Sequence, residues 1–140
     1  MYPIRYPFDG SYKVNQTFGA NPDKYSGYDL EGHNGIDFGT PLNTEIKSVC
    51  DATVRYVGYD PDGYGNYIRL DHHIGDNHFQ TLHAHSDQLP FFADGDVVKE
   101  GVTIMLSGNT GYSSGPHLHF GLREIDANGN VLNEDNGYMG

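Results

Sequence analysis

Gly115-Pro116-His117-Leu118-His119-Phe120 is the stretch on which the reading of this chain turns. A Gly-Pro break precedes two histidines spaced two apart, and an apolar run follows. On a β-strand, side chains at i and i+2 share a face. The spacing therefore predicts His117 and His119 side by side, about 6.6–6.8 Å apart at their backbones. Leu118 and Phe120 then point the other way, into a core. Two same-facing imidazoles are a start for a metal or acid–base site. Without partners they would be two solvent-facing side chains and nothing more, so the rest of the chain has to supply those partners.

Working outward, the chain reads as a meander of short strands. Residues 11–18 alternate over Val14, Gln16 and Phe18, and residues 45–49 and 52–59 read as strands around a turn at Cys50-Asp51. Residues 66–71 and 78–85 pair across a Gly75-Asp76-Asn77 turn. Val97-Val98 and residues 103–106 are short strands around Lys99-Glu100-Gly101, and residues 118–125 complete the strand of the opening motif. Residues 2–9 are Pro-rich and extended, 19–32 are irregular and polar, and 133–140 form a loose polar tail. No helix beyond one turn is expected. The fold class is all-β: mainly antiparallel sheet, with a groove over one sheet.

Composition agrees. In 140 residues there are 19 glycines and 11 tyrosines, against 36% hydrophobic and 19% charged residues, which favours a turn-rich β protein over a helical one. The length fits one domain, 1–140, with its core at about 8–125. Eight basic and 19 acidic residues leave a net charge of −11. That balance argues against nucleic-acid partners, which need a basic footprint, and against anionic membranes. Cys50, the only cysteine, reads as a small buried hydrophobe, with nothing nearby to activate its thiol. No transmembrane run is present, and Met1-Tyr2-Pro3-Ile4-Arg5 lacks the apolar core of a signal peptide. Either export takes another route or the chain is a domain cut from a larger protein.

The eight histidines are many for this length. His33 and Asp37, four apart in Gly32-His33-Asn34-Gly35-Ile36-Asp37-Phe38, share a face on a strand or a helix, and the flanking glycines disfavour the helix. A catalytic zinc takes three protein ligands and keeps a position for water, whose pKa it lowers to about 7. His33 and Asp37 offer one nitrogen and one oxygen, and the opening motif offers a third ligand. Spacing leaves open which of His117 and His119 that is. The remaining histidines are then free for proton transfer.

These elements, in this order, resemble the lysostaphin/LytM-type (M23) peptidoglycan endopeptidases. Gly32 to Pro41 resembles that family's H-x-x-x-D element. Ser107-Gly108-Asn109-Thr110-Gly111 with Gly115 to Phe120 is similar to its G-x-T-G…GPHLHF element. Thr81-Leu82-His83-Ala84-His85 is similar to its Y-A-H-L segment, with His83 in the tyrosine's place and Ser86 in the leucine's. Asn15 to Gly19, Tyr64 to Tyr67 and Asp94 to Gly101 also match. The resemblance implies zinc held by His33, Asp37 and His119, with His117 as general base and His85 orienting water or stabilising the oxyanion. It implies hydrolysis of peptide cross-links in bacterial peptidoglycan, its partner being the peptide stem or cross-bridge, by a monomeric domain at the cell wall, outside the cell, or on a virion. A bacterial autolysin and a phage tail or lysin module both suit this, and glycine bridges and D-Ala-to-diamino-acid links are both open as the bond cut. A tyrosine upstream of the first ligand, Tyr25 or Tyr28, is a further candidate.

Other readings fare worse. A non-enzymatic domain of the same fold would be expected to have lost ligands, and all are present. Gly111, His117, His119 and Glu124 fit the first half of a cupin element, but Val131 stands where its glycine belongs. Glu124 also has the wrong parity to share the histidines' face. His83 is expected to face away from the site. His72, His73 and His78 are expected at strand ends and loops. Asp60-Pro61-Asp62-Gly63 and Asp126 to Asn130 read as turns, not as calcium loops.

Overall fold

The structure is a computed structural model and describes residues 4–25 and 33–132. Its strands are β1 (Val14–Gln16), β2 (Ile36–Phe38), β3 (Glu45–Lys47), β4 (Ala52–Asp60), β5 (Gly65–Ile74), β6 (Asn77–Ser86), β7 (Val97–Val98), β8 (Thr103–Leu106) and β9 (Leu118–Glu124), with one helical turn, α1 (Pro22–Tyr25). Seven strands form one antiparallel sheet in the order β1-β2-β9-β6-β5-β4-β7, and β3 pairs with β8 in a second sheet. The expected all-β class holds. Among the described residues no helix is long and apolar enough to cross a membrane.

Strand alternation sorts the large sheet into two faces. Leu118 of β9 pairs with Phe38 of β2, and Ile68 and Leu70 of β5 lie on the same side. These residues cluster with Ile46 of β3 and with Ile104 and Met105 of β8. The small sheet is therefore the cover of the apolar face, and burial of each Leu or Ile there contributes about 1.5–3 kcal/mol. The opposite face carries the functional groups. His119 pairs directly with Asp37 on β2 and with Ala84 on β6. Directly opposed side chains of an antiparallel pair stand about 4.5–5.5 Å apart at Cβ, so the register alone brings imidazole and carboxylate together. Ala84, small and fully buried, leaves the space beside them open.

Two loops wall this face. The loop before β5 and the loop before β9 meet backbone to backbone at Gly65 and Gly111, both at positive φ (64° and 76°). A Cβ on Gly111 would run into Gly63 and Gly65, so glycine is needed there for close approach as well as conformation. The Tyr112 N–H donates to the Gly63 carbonyl at 2.8 Å, and the Asn66 N–H to Thr110 Oγ1 at 3.1 Å.

Most of the remaining histidines sit where alternation puts them, but His72 does not lie in a loop or at a frayed end. It is fully buried in β5, stacked on Phe79, with Nδ1–H donating to the Asp51 carbonyl and Nε2 accepting from Thr81. Its neighbours satisfy both ring nitrogens, and this makes a buried imidazole tolerable. Burial holds it neutral, with a pKa pushed down to about 4. His73 and His78 do face each other across the end of the β5–β6 hairpin, Nδ1 to Nδ1 at 2.7 Å. Cys50 is buried, and its thiol is pushed up to about 12 by burial first and then by Glu100 and Asp51. Asp60 and Asp126 accept backbone N–H groups of their own turns. Tyr28 and the tail at 133–140 lie outside the described residues.

Candidate metal centre and cleft

His33, Asp37 and His119 converge. His33 Nε2 is 3.0 Å from His119 Nδ1 and 3.1 Å from Asp37 Oδ1, and His119 Nδ1 is 3.0 Å from the same oxygen. All three residues are buried. The His33 Nδ1 lies 3.1 Å from the Thr17 carbonyl, which only accepts, so the proton sits on Nδ1 and Nε2 carries a lone pair. A lone pair, a carboxylate oxygen and a second imidazole nitrogen thus point at one another in a buried site. Such a set is what a cation relieves. Tetrahedral zinc, with N and O ligands near 2.0–2.1 Å, needs ligand–ligand edges of about 3.3 Å, and these edges are a few tenths shorter. The three residues fit the metal.

Local sequence explains the convergence. His33 is fixed by main-chain bonds on both sides, with Gly19 N donating to its carbonyl and its own N–H to the Ala20 carbonyl. Gly35 follows because a Cβ there would lie 2.8 Å from His119 Cε1 and 2.9 Å from its Nε2. Tyr64 stacks on the other side of the His119 ring at 5.7 Å and accepts a hydrogen bond from Asn34 through its hydroxyl. His119 Nε2 is buried with no hydrogen-bond partner, so this imidazole is held by packing. Burial would raise the Asp37 pKa, but the adjoining imidazoles of His119 and His33 prevail and hold it well below the usual carboxylate range. Burial pushes His119 down despite the opposing pull of Asp37.

His117 and His85 flank the triangle. The His117 Nδ1 lies 2.9 Å from the Gly115 carbonyl, which places the proton on Nδ1, and Nε2 faces Asp37 Oδ1 at 3.7 Å. His85 Nδ1–H donates to the Thr110 carbonyl at 2.6 Å, leaving Nε2 bare. Its ring centre is 4.5 Å from that of His117 and 6.2 Å from that of His119. Burial first, then the charge of His117, pushes the His85 pKa down to about 4. His85 is also one of three described non-glycine residues at positive φ (63°), a conformation that costs about 1–3 kcal/mol. His83 lies on the other face, fully buried against Phe120, with neither ring nitrogen hydrogen-bonded. All five expected site residues therefore meet, and His83 stays out as expected. The anchoring carbonyls of Thr17, Thr110 and Gly115, and the Tyr64 platform, had no role assigned from sequence. A carbonyl leaves no trace in a residue name.

In front of the triangle opens a cleft of about 520 Å³. Asp37 and His117 line its inner end, Gln16 and Tyr25 one wall, and Tyr112 and Ser113 the other. Tyr25 donates its hydroxyl to Gln16 and sets its ring 5.5 Å from that of His33. Lys24 and Tyr25 thus bring part of the irregular segment after Gly19 to the cleft.

Residues 31–134 match the model of peptidase family M23. Peptidoglycan DD-endopeptidase ShyB of Vibrio cholerae is 36% identical over 131 residues, covering 88% of this chain and 29% of that protein. A zinc-containing peptidase from Vibrio cholerae superposes with a TM-score of 0.72 at 31% identity, covering 96% of this chain and 37% of that one. The catalytic domain of the antimicrobial peptidase lysostaphin from Staphylococcus simulans superposes with a TM-score of 0.71 at 30% identity, covering 87% and 88%. The chain spans about a quarter to a third of the length of three curated relatives it matches.

Proposed function

The chain belongs to peptidase family M23, and from that premise we propose that it is a zinc metalloendopeptidase cutting peptide cross-links of bacterial peptidoglycan. The observation that carries this is the His33–Asp37–His119 triangle with two further imidazoles, His117 and His85, turned toward it. We propose His33 Nε2, Asp37 Oδ1 and His119 Nδ1 as ligands. When bound, zinc supplies positive charge that acidifies water and polarises a carbonyl.

The chain's own groups divide the proton work. The Gly115 carbonyl holds the His117 proton on Nδ1, so the Nε2 lone pair takes a proton from the attacking water. The same nitrogen then delivers it to the departing amine. His85 presents a bare Nε2 and is neutral at pH 7. That tautomer accepts a hydrogen bond and has none to give on that side. It favours orienting the water over donating to an oxyanion. The cleft positions the peptide against these groups.

We place the activity at the cell wall or outside the cell, in an autolysin or in a phage tail or lysin module. We take residues 1–140 as a single, monomeric peptidase domain, in keeping with the one main apolar cluster shared by both sheets. The test is mass spectrometry of the products from defined cell walls. New amino termini in the stem or bridge peptides are expected. Walls left intact by the zinc-loaded protein would sink the reading.

A further inference from the structure

We propose that Lys24 is a specificity-determining residue of the cleft: its ammonium recognises a free carboxylate beside the scissile bond. The proposal rests on the peptidase reading above. Lys24 lies in the one-turn helix α1 and lines the cleft. Its Nζ lies 5.6 Å from the ring centre of Tyr25 and 5.5 Å from that of Tyr112, so it stands between the two walls. Aromatic faces attract a cation through their quadrupole but accept no strong hydrogen bond from it. They hold the ammonium in place and leave its charge unneutralised, and no described carboxylate forms an ion pair with it.

The charge distribution points the same way. The chain as a whole carries −11. Yet among the described residues lining the cleft, Asp37 is the only carboxylate, and its Oδ1 is engaged by His33 and His119. Lys24 and His117 are the basic groups there. A cleft with a free cation in a strongly acidic protein selects an anionic ligand against the field of the rest of the surface. At about 520 Å³ the cleft is of the size that holds one small ligand, so a group at Lys24 and one at His117 belong to the same substrate. A lysine ammonium is a compact charge with rotatable donors, suited to a carboxylate.

This separates two cross-links. In a link from D-alanine to a diamino-dicarboxylic acid, the carbon bearing the scissile nitrogen can carry a free carboxylate. A glycine bridge has none beside its amide bonds. Lys24 therefore favours the first.

The experiment uses the zinc-loaded full chain and two D-alanyl peptides of a diamino-dicarboxylic acid. They are identical except that the carboxylate on the carbon beside the scissile nitrogen is free in one and a carboxamide in the other. Hydrolysis is followed by kcat/KM, and binding of the amine-side products by calorimetry. The free acid is expected to lead by about tenfold in both measurements. Lys24→Met should bring the ratio near one, and Lys24→Glu should invert it, with zinc content unchanged. Equal handling of acid and amide by the wild type, or a preference that survives Lys24→Met, overturns the proposal. Product binding that shows the preference and loses it in Lys24→Met, without hydrolysis of either peptide, supports Lys24 and sinks the peptidase reading instead.

Discussion

His83 and His85 lie two residues apart on β6 and face opposite sides of the sheet. The pairing of Ile68 with His83 and of Asn66 with Ser86 leaves two residues of β6 opposite one of β5. His85 takes the left-handed conformation within that bulge. The extra residue reverses the alternation, so His83 meets Phe120 in the core while His85 meets His117 at the site.

The bulge predicts a conflict between stability and turnover at position 85. Glycine adopts φ near 63° without the cost a side chain incurs. His85→Gly should equal or exceed His85→Ala in thermal stability, by about 1 kcal/mol, while both lose on the order of 100-fold in kcat and keep zinc. A His85→Gly protein clearly less stable than His85→Ala would remove the strain argument.

His83 predicts acid sensitivity. Burial, then the nearby His72, depresses its pKa to about 3, while the unfolded chain titrates near 6.5. Above pH 6.5 neither state binds the proton and His83 carries no penalty. As pH falls below 6.5 the unfolded chain takes it up and the folded protein does not, so stability is lost progressively toward pH 3. By pH 4 the loss is on the order of 3 kcal/mol. His83→Phe should stabilise the protein, with a margin that widens from pH 7 to pH 4 in thermal melts. A margin independent of pH would mean that His83 finds a partner on protonation.

The site predicts two classes of alanine variant. His33→Ala, Asp37→Ala and His119→Ala each remove one corner of the triangle and should lose stoichiometric zinc by metal analysis. His117→Ala should keep zinc and lose about 100-fold or more in kcat. Loss of zinc from His117→Ala, with retention in His119→Ala, would exchange the roles of the two. Chelation should abolish turnover in the wild type, and zinc should restore it.

Gly35→Ala tests the packing that holds His119. The added methyl would run into the Phe120 carbonyl and sit 2.8–2.9 Å from the imidazole, closer than Cβ atoms approach. The β2–β9 backbone and the ring must shift, and a misplaced ligand should cost tenfold or more in zinc affinity, read by competition with a chromogenic chelator. Unchanged affinity would show that the ring has slack.

Much of this was legible in the sequence because alternation and register are local. The strand after Pro116 puts Leu118 in the core and His119 at the site. His33 and Asp37 announce themselves by spacing. Other features are not local. Parity assigns His83 and His85 to one face, and only the bulge separates them; without the family resemblance the choice between them would have been arbitrary. His72 looks like a strand-end histidine until Asp51 and Thr81 are seen to satisfy it. Tyr64 reaches His119 through a loop closure between Gly65 and Gly111 that no short window of sequence encodes.

Three of the four site histidines are oriented by main-chain carbonyls, those of Thr17, Thr110 and Gly115. A carbonyl survives any side-chain replacement that keeps the backbone path. The cleft residues other than Asp37, Gly111 and His117 are thus free to be randomised for new substrates without disturbing the tautomers that the chemistry relies on. His119, gripped by Gly35 and Tyr64 instead, is where such a library should be left untouched.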